Sequence, residues 1–285
     1  MTMRTLVPAL FVTLALTGPL HAQTRGAPFI NAMTWEEIRD AVRSGAKTVI
    51  VPVGGTEQNG PHMVLGKHNY IITFTANLIS QRLGNTLVAP TVQYVPEGDH
   101  DAPGFGDKPG VISNPSPSYD ALLDAAARSL AVHGFTEILF IGDSGGNQAG
   151  MSAVADSLNR EWQGSGKRVF ALTDYYRRGQ ADLRAWLQSE FGYDAATVGS
   201  HAGIADTSQM LYVHPEGIRR ARILPGGGGP DSGVRGDPTK ATPEIGKAAI
   251  EFKVNAAIAQ YRALRAASPS NQTRVSAATP ARCGP

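Results

Sequence analysis

The sequence is nearly devoid of cysteine. Cys283 is the only one among 285 residues, so no internal disulfide is open to the chain. A thiol that close to the carboxyl terminus is also a poor candidate nucleophile. Strong charge of either sign is missing too. Lysine and arginine number 26 against 24 acids, and no basic stripe or block occurs, which argues against nucleic acid as a partner. After the leader, no apolar run approaches the ~20 residues of a spanning helix, so no membrane partner is expected once the leader is removed. What is present suffices for a core: 42% of the residues are hydrophobic and 18% charged, which suits one large domain without covalent staples.

The first 22 residues have the layout of an export signal. Arg4 gives a positive start, Leu6 to Leu20 form an apolar stretch, and Leu20-His21-Ala22 ends on a small residue before Gln23. Two prolines and short length argue against a membrane anchor. The expected division is a signal peptide over 1–22, one domain over 23–267 and a polar, disordered tail over 268–285. The mature protein would be periplasmic or secreted.

Beyond the leader, helical and strand patterns alternate. Thr34, with Glu37 three residues on, opens a capping-box helix that runs to about Gly45. KTVIVPVGG (47–55) is a continuous apolar, β-branched run, as expected of a strand buried on both faces. Helices follow over about 69–83, 117–134, 147–162, 179–192 and 242–267, with strands over 86–95, 136–142 and 167–176. This order implies βαβ units and a mostly parallel sheet covered on both faces. Two Gly/Pro-rich stretches, 97–118 and 224–243, are too long for simple connections and mark functional loops.

Ligands of open parallel sheets bind beyond the carboxyl ends of the strands. Three loops in that position hold unusual polar residues. Glu57, Asn59, His62 and His68 follow the first strand, Asp143 and Ser144 follow the third, and His201 and Asp206 precede a short helix. His100 lies in the first long loop. Histidines and acids gathered on one rim point to metal or acid/base chemistry.

These same segments resemble the creatininase (creatinine amidohydrolase) family. VPVGGTEQNGPHMVLGKHN is similar to its motif G-S-T-E-Q-H-G-P-H-L-P-L-G-T-D, and FIGDSGGNQ stands where the family has N-G-H-G-G-N. SHAGIADTSQML matches H-A-G-x-x-E-T-S-x-M-L, and GVRGDPTKATPEIG matches G-x-x-G-D-P-x-x-A-T-x-x-x-G. The resemblance covers roughly residues 34–265 and implies a Rossmann-like three-layer α/β/α sandwich with a mostly parallel sheet. It also implies a homo-oligomer, frequently a hexamer, that hydrolyses C–N bonds of cyclic amides through two divalent metals sharing an aspartate. Such ions acidify a bound water and polarise the carbonyl.

The chain departs from that pattern at the metal positions. Glu57 keeps the motif's glutamate, but Asn59 replaces its histidine, His68 the bridging aspartate, and Ser144 the histidine of the second loop. Asn and Ser are poor ligands for transition metals. One ion per chain, zinc as first choice and manganese as second, is therefore expected on Glu57, His68 and Asp143, with His201 as a possible fourth ligand. His201 and Asp206 would act as acid/base and orienter, while Asn59, His62 and His100 would face the substrate.

Ser144 allows other readings. In GDSGG it resembles the serine of trypsin-like proteases, but that motif belongs to an all-β fold. The strand–G-x-S-x-G–helix setting also suits a nucleophile elbow, with His201 as base and Asp174 or Asp206 as orienter. Ser144 would otherwise be a small hydroxyl bonding the next helix's amides. The expected function is thus an exported, metal-dependent amidohydrolase acting on a small molecule. The alternatives are a serine hydrolase using Ser144 and a non-catalytic periplasmic binding protein.

Overall fold

A computed structural model describes residues 28–101 and 106–267. The leader, its cleavage point, Cys283 and the tail from 268 lie outside the described residues.

Thr34 caps α1 (Trp35–Arg43) as its sequence dictates: its hydroxyl accepts from the Glu37 amide, and Glu37 reaches back to the Thr34 amide at 2.6 Å. Strands β1 (Thr48–Val53), β2 (Thr86–Val88), β3 (Glu137–Gly142) and β4 (Arg168–Ala171) form a four-stranded parallel sheet in the order β2-β1-β3-β4. Every residue of β1 is buried, and side chains alternate between the two faces. Val49, Val51 and Val53 pack toward α1, α3 (Ser116–Val132) and α4 (Asn147–Glu161). Ile50 packs the other way, toward α2 (Lys67–Leu83), α5 (Asp174–Phe191), α7 (Ile204–Val213) and α8 (Pro243–Ala266). A short α6 (Ala195–Val198) leads into α7. The result is the expected three-layer α/β/α sandwich.

Three boundaries differ from expectation. The second strand stops at Val88, because Pro90 interrupts the ladder and the chain returns only as bridges at Val92 and Val95. Residues 174–176 belong to α5 rather than to β4, with the Asp174 amide held by Gln260 Oε1 at 2.9 Å. Finally, α2 begins at Lys67, which puts Lys67 and His68 in its first turn. The β1–β3 register pairs Val53 with Gly142, so the loops carrying Glu57 and Asp143 leave the sheet side by side.

Candidate active site

The loop after β1 is shaped by its own polar groups. Asn59, fully buried, donates to the carbonyls of Glu57 at 2.9 Å and Val64 at 3.1 Å. His62, also fully buried, meets the Thr207 hydroxyl at 3.0 Å and so ties this loop to α7. Burial lowers the His62 pKa. Both residues were expected to face substrate. Instead they hold backbone in place, because their polar atoms point into the protein. His100 is exposed on its loop.

The loop delivers Glu57 to a buried cluster of charge. Lys67 Nζ donates to Glu57 Oε1 at 2.8 Å and to Asp206 Oδ2 at 2.9 Å. His68 lies between two carboxylates, with Nε2 2.7 Å from Glu57 Oε1 and Nδ1 2.7 Å from Asp143 Oδ2. Since both acceptors are carboxylates, both ring nitrogens carry protons and His68 is an imidazolium. On the other oxygen of Asp143, Lys253 from α8 donates at 2.7 Å and the Tyr175 hydroxyl at 2.9 Å. Two cations in the first turn of α2 oppose the helix dipole; the adjoining carboxylates offset this. Asp206 also accepts the amide of Ala202 at 2.8 Å, and Ala202 has a left-handed backbone with φ 51. That conformation costs a non-glycine residue about 1 kcal/mol or more, which the carboxylate contact helps to offset.

The pairing sets the protonation states. Burial opposes ionisation of Glu57, but Lys67 and His68 outweigh it and hold the carboxyl well below its usual range. Burial likewise opposes charge on Lys67, and Asp206 and Glu57 more than compensate, so its pKa rises. For His68, burial and Lys67 work against the proton, yet Glu57 and Asp143 push the pKa up to about 9. Asp143 and Asp206 are lowered despite burial, chiefly by Lys253 and Lys67 respectively. Glu97 behaves in the opposite way. Burial and the nearby Glu57 charge raise it to about 8. Its Oε2 accepts from the Ser144 hydroxyl at 3.1 Å, and its Oε1 is buried without a partner among the described residues.

His201 sits at the margin of the cluster, with Nδ1 3.7 Å from Glu57 Oε1. Burial and Lys67 lower its pKa. The Gln58 carbonyl lies 2.7 Å from its Nε2 and acts as the ring's orienter, while Asp206 is engaged by Lys67 and Ala202. The second Gly-rich stretch docks here: Arg235 pairs with His201 through an antiparallel bridge, and Gly233 accepts from the Gln58 side chain at 3.2 Å. A cavity of about 30 Å³, bordered by Gln180, Ser200, His201 and Asp206, has room for about one water. A larger depression of about 770 Å³ lies by Lys47, Glu137 and Arg262, at the amino ends of the strands and away from this chemistry.

The structure therefore brings Glu57, His68, Asp143, Ser144, His201 and Asp206 together. The ligand geometry expected for them is not formed. A metal needs an unprotonated ring nitrogen, and both nitrogens of His68 are spent on carboxylates. Glu57 Oε1 already accepts from an ammonium and an imidazolium. Among the described residues no group of three or more His, Cys, Asp or Glu is arranged to hold a metal ion. These donors do not fit a divalent cation. Ser144 also differs from expectation, since its hydroxyl binds Glu97 and α4 begins without a side-chain cap. Sequence reasoning missed Lys67, Glu97, Tyr175 and Lys253. For Lys253 a signal existed: it lies on the apolar stripe of α8 with Ala249, Ile250, Val254 and Ala257.

The profile of Creatininase: Creatinine amidohydrolase matches residues 31–261. A mycofactocin precursor peptide peptidase of Mycolicibacterium smegmatis is 28% identical over 229 residues, 73% of this chain and 81% of that protein. The creatinine amidohydrolase of Pseudomonas putida is 24% identical over 201 residues, 69% of this chain and 75% of that protein. A crystal structure of creatinine amidohydrolase (creatininase) shares the fold with a TM-score of 0.69 at 23% identity, over 82% of this chain and 96% of that chain. A second creatininase structure, "Creatininase Mn", gives 0.69 at 22% identity over 82% and 97%.

Proposed function

Because this chain belongs to the creatinine amidohydrolase family, we propose that it is a hydrolase of an amide-type C–N bond in a small molecule, with a cyclic amide as the first candidate. One observation carries the reading. A buried ammonium, Lys67, and a depressed-pKa imidazole, His201, flank the same oxygen of Glu57, at 2.8 and 3.7 Å. On this reading His201 is a neutral base for a water and Lys67 a buried positive charge behind it, which supports hydrolysis. The names of the relatives, an amidohydrolase and a peptidase, support the same bond class.

The steps follow from the chain's own residues. With Nε2–H directed at the Gln58 carbonyl, His201 carries its basic lone pair on Nδ1. Nδ1 takes a proton as water adds to the amide carbon, and the negative charge gathering on the carbonyl oxygen is favoured by the field of Lys67, which stays buried behind Glu57 and Asp206. Breakage of the C–N bond then returns that proton from His201 to the leaving nitrogen, giving an acid and an amine with one water consumed. The leader-like first 22 residues support action outside the cytoplasm. A homo-oligomer is the assembly suggested by the family resemblance.

A second reading has its own observation. The contact of Ser144 Oγ with Glu97 Oε2 at 3.1 Å is the hydroxyl–base pair a serine hydrolase would use.

The test is a panel of creatinine, other cyclic amides and short linear amides, followed by the mass gain of one water. Turnover that falls by about 10²–10⁴ in His201→Ala supports the proposal. Ligand binding without turnover across the panel would sink it and leave a binding protein. Labelling of Ser144 by a serine-reactive phosphonate, with loss of turnover, would favour the serine hydrolase.

A further inference from the structure

Six buried groups pair their charges directly. Glu57, Asp143 and Asp206 contribute three negative charges, and Lys67, Lys253 and His68 contribute three positive ones, every contact falling between 2.7 and 2.9 Å. Lys67 and Lys253 are almost inaccessible, at 1% and 3% exposure. Ammonium groups that deep in a protein are retained only when paired. Both lysines are also built in from outside the loop that carries Glu57. Lys67 reaches Asp206 across 139 residues, and Lys253 reaches Asp143 across 110. Gly179 of α5 allows the approach of α8, since a Cβ there would meet Lys253 Cγ at 2.8 Å and its Cα at 2.9 Å.

We infer that the ammonium groups of Lys67 and Lys253, with the imidazolium of His68, are built-in substitutes for divalent cations, so that this protein holds its carboxylates and works without a bound metal. A cation at the ~2.0–2.2 Å of a carboxylate–zinc bond would overlap the region around Glu57 Oε1 where Lys67 and His68 already stand. It would also add two positive charges to a buried group of zero net charge, in surroundings that weaken charge poorly. The substitution stands on geometry. Its catalytic consequence, that the positive field at the site comes from Lys67 rather than from an ion, rests on the hydrolase reading.

The experiment is elemental analysis of the full chain, purified without chelator or affinity-tag histidines, followed by calorimetric titration with zinc chloride and with manganese chloride. The expected result is far less than one metal per chain and no saturable binding. The double variant Lys67→Thr/His68→Asp takes the same six positions from zero to three net negative charges, with Lys253 the one ammonium left among four carboxylates. It should bind zinc tighter than the parent by about two orders of magnitude or more. About one or more zinc or manganese ions held tightly by the parent protein would overturn the inference. So would a folded double variant that gains no metal affinity. If the double variant fails to fold, the parent titration alone decides. Metal in a parent that hydrolyses amides would remove the inference and keep the hydrolase; a metal-free parent inert on every amide would do the reverse.

Discussion

Lys67 and His68, consecutive in the chain, end on a single oxygen atom: Lys67 Nζ and His68 Nε2 stand 2.8 and 2.7 Å from Glu57 Oε1. Adjacent helical residues do not share a face. The first turn of α2 meets this requirement only because the Glu57 loop folds over its end, leaving the carboxylate between the two side chains.

Removing one partner from this arrangement should be expensive. Lys67→Met leaves Glu57 and Asp206 facing each other without their shared ammonium, an expected loss of roughly 3–5 kcal/mol. Adding Asp206→Asn to Lys67→Met should cost less than the sum of the single changes. Urea unfolding of the four proteins in the cycle measures the coupling.

Glu97 gives the pH dependence a definite sign. A glutamate that ionises near 4.5 in the unfolded chain and at about 8 in the fold takes up a proton, and so loses its charge, on folding between those values. The unfolded state therefore sheds the proton first, and the contribution of Glu97 to stability falls as pH rises from 4.5 to 8. Glu97→Gln removes this dependence. Its stability relative to the parent should climb across that window and level off above pH 8. A thermal-melt series of both proteins from pH 4 to pH 9 checks it.

His201 and Ser144 separate the two hydrolytic readings. His201→Ala should lower the turnover of any amide found by about 10²–10⁴ at a temperature where the variant stays folded, beyond any loss in its unfolding midpoint from the missing Gln58 contact. Ser144→Ala should keep the rate within about tenfold, since its hydroxyl only partners Glu97. The reverse ordering in steady-state kinetics would assign the chemistry to the serine.

Gly179 should tolerate no side chain. Gly179→Ala places a Cβ against the Lys253 backbone, so α8 must shift, at about 1–3 kcal/mol. The shift should also loosen the Lys253–Asp143 pair. A Lys253→Met background should then show a smaller effect than the parent does, read from denaturation midpoints.

The layers were legible because their physics is local. A continuous apolar run defined β1, helical apolar spacing defined the helices, and the Thr34–Glu37 box defined a helix start to the residue. Pro90 and the early onset of α5 were harder to read, since apolar character continues past both. In the site, Glu57, His68, Asp143, His201 and Asp206 stood out as polar residues on a predicted rim. Their cations did not, because a lysine in a sequence reads as a solvated charge. For Lys253 the apolar stripe of α8 was the one local sign; otherwise the burial of both lysines shows only through their partners, Glu57 and Asp206 for Lys67 and Asp143 for Lys253. Glu97 opened a loop already marked as functional, but its raised pKa comes from burial and from Glu57, forty residues earlier in the chain.

The reach of Lys253 has one more consequence, in time rather than in space. Asp143 leaves the ribosome 110 residues ahead of its ammonium partner, and the Gly-rich stretch that docks on Gln58 and His201 also arrives late. The sheet and the α1, α3 and α4 layer can be in place while Asp143 still needs water around it. Docking of α8, the last helix among the described residues, then brings Asp143 its ammonium partner and takes it out of water.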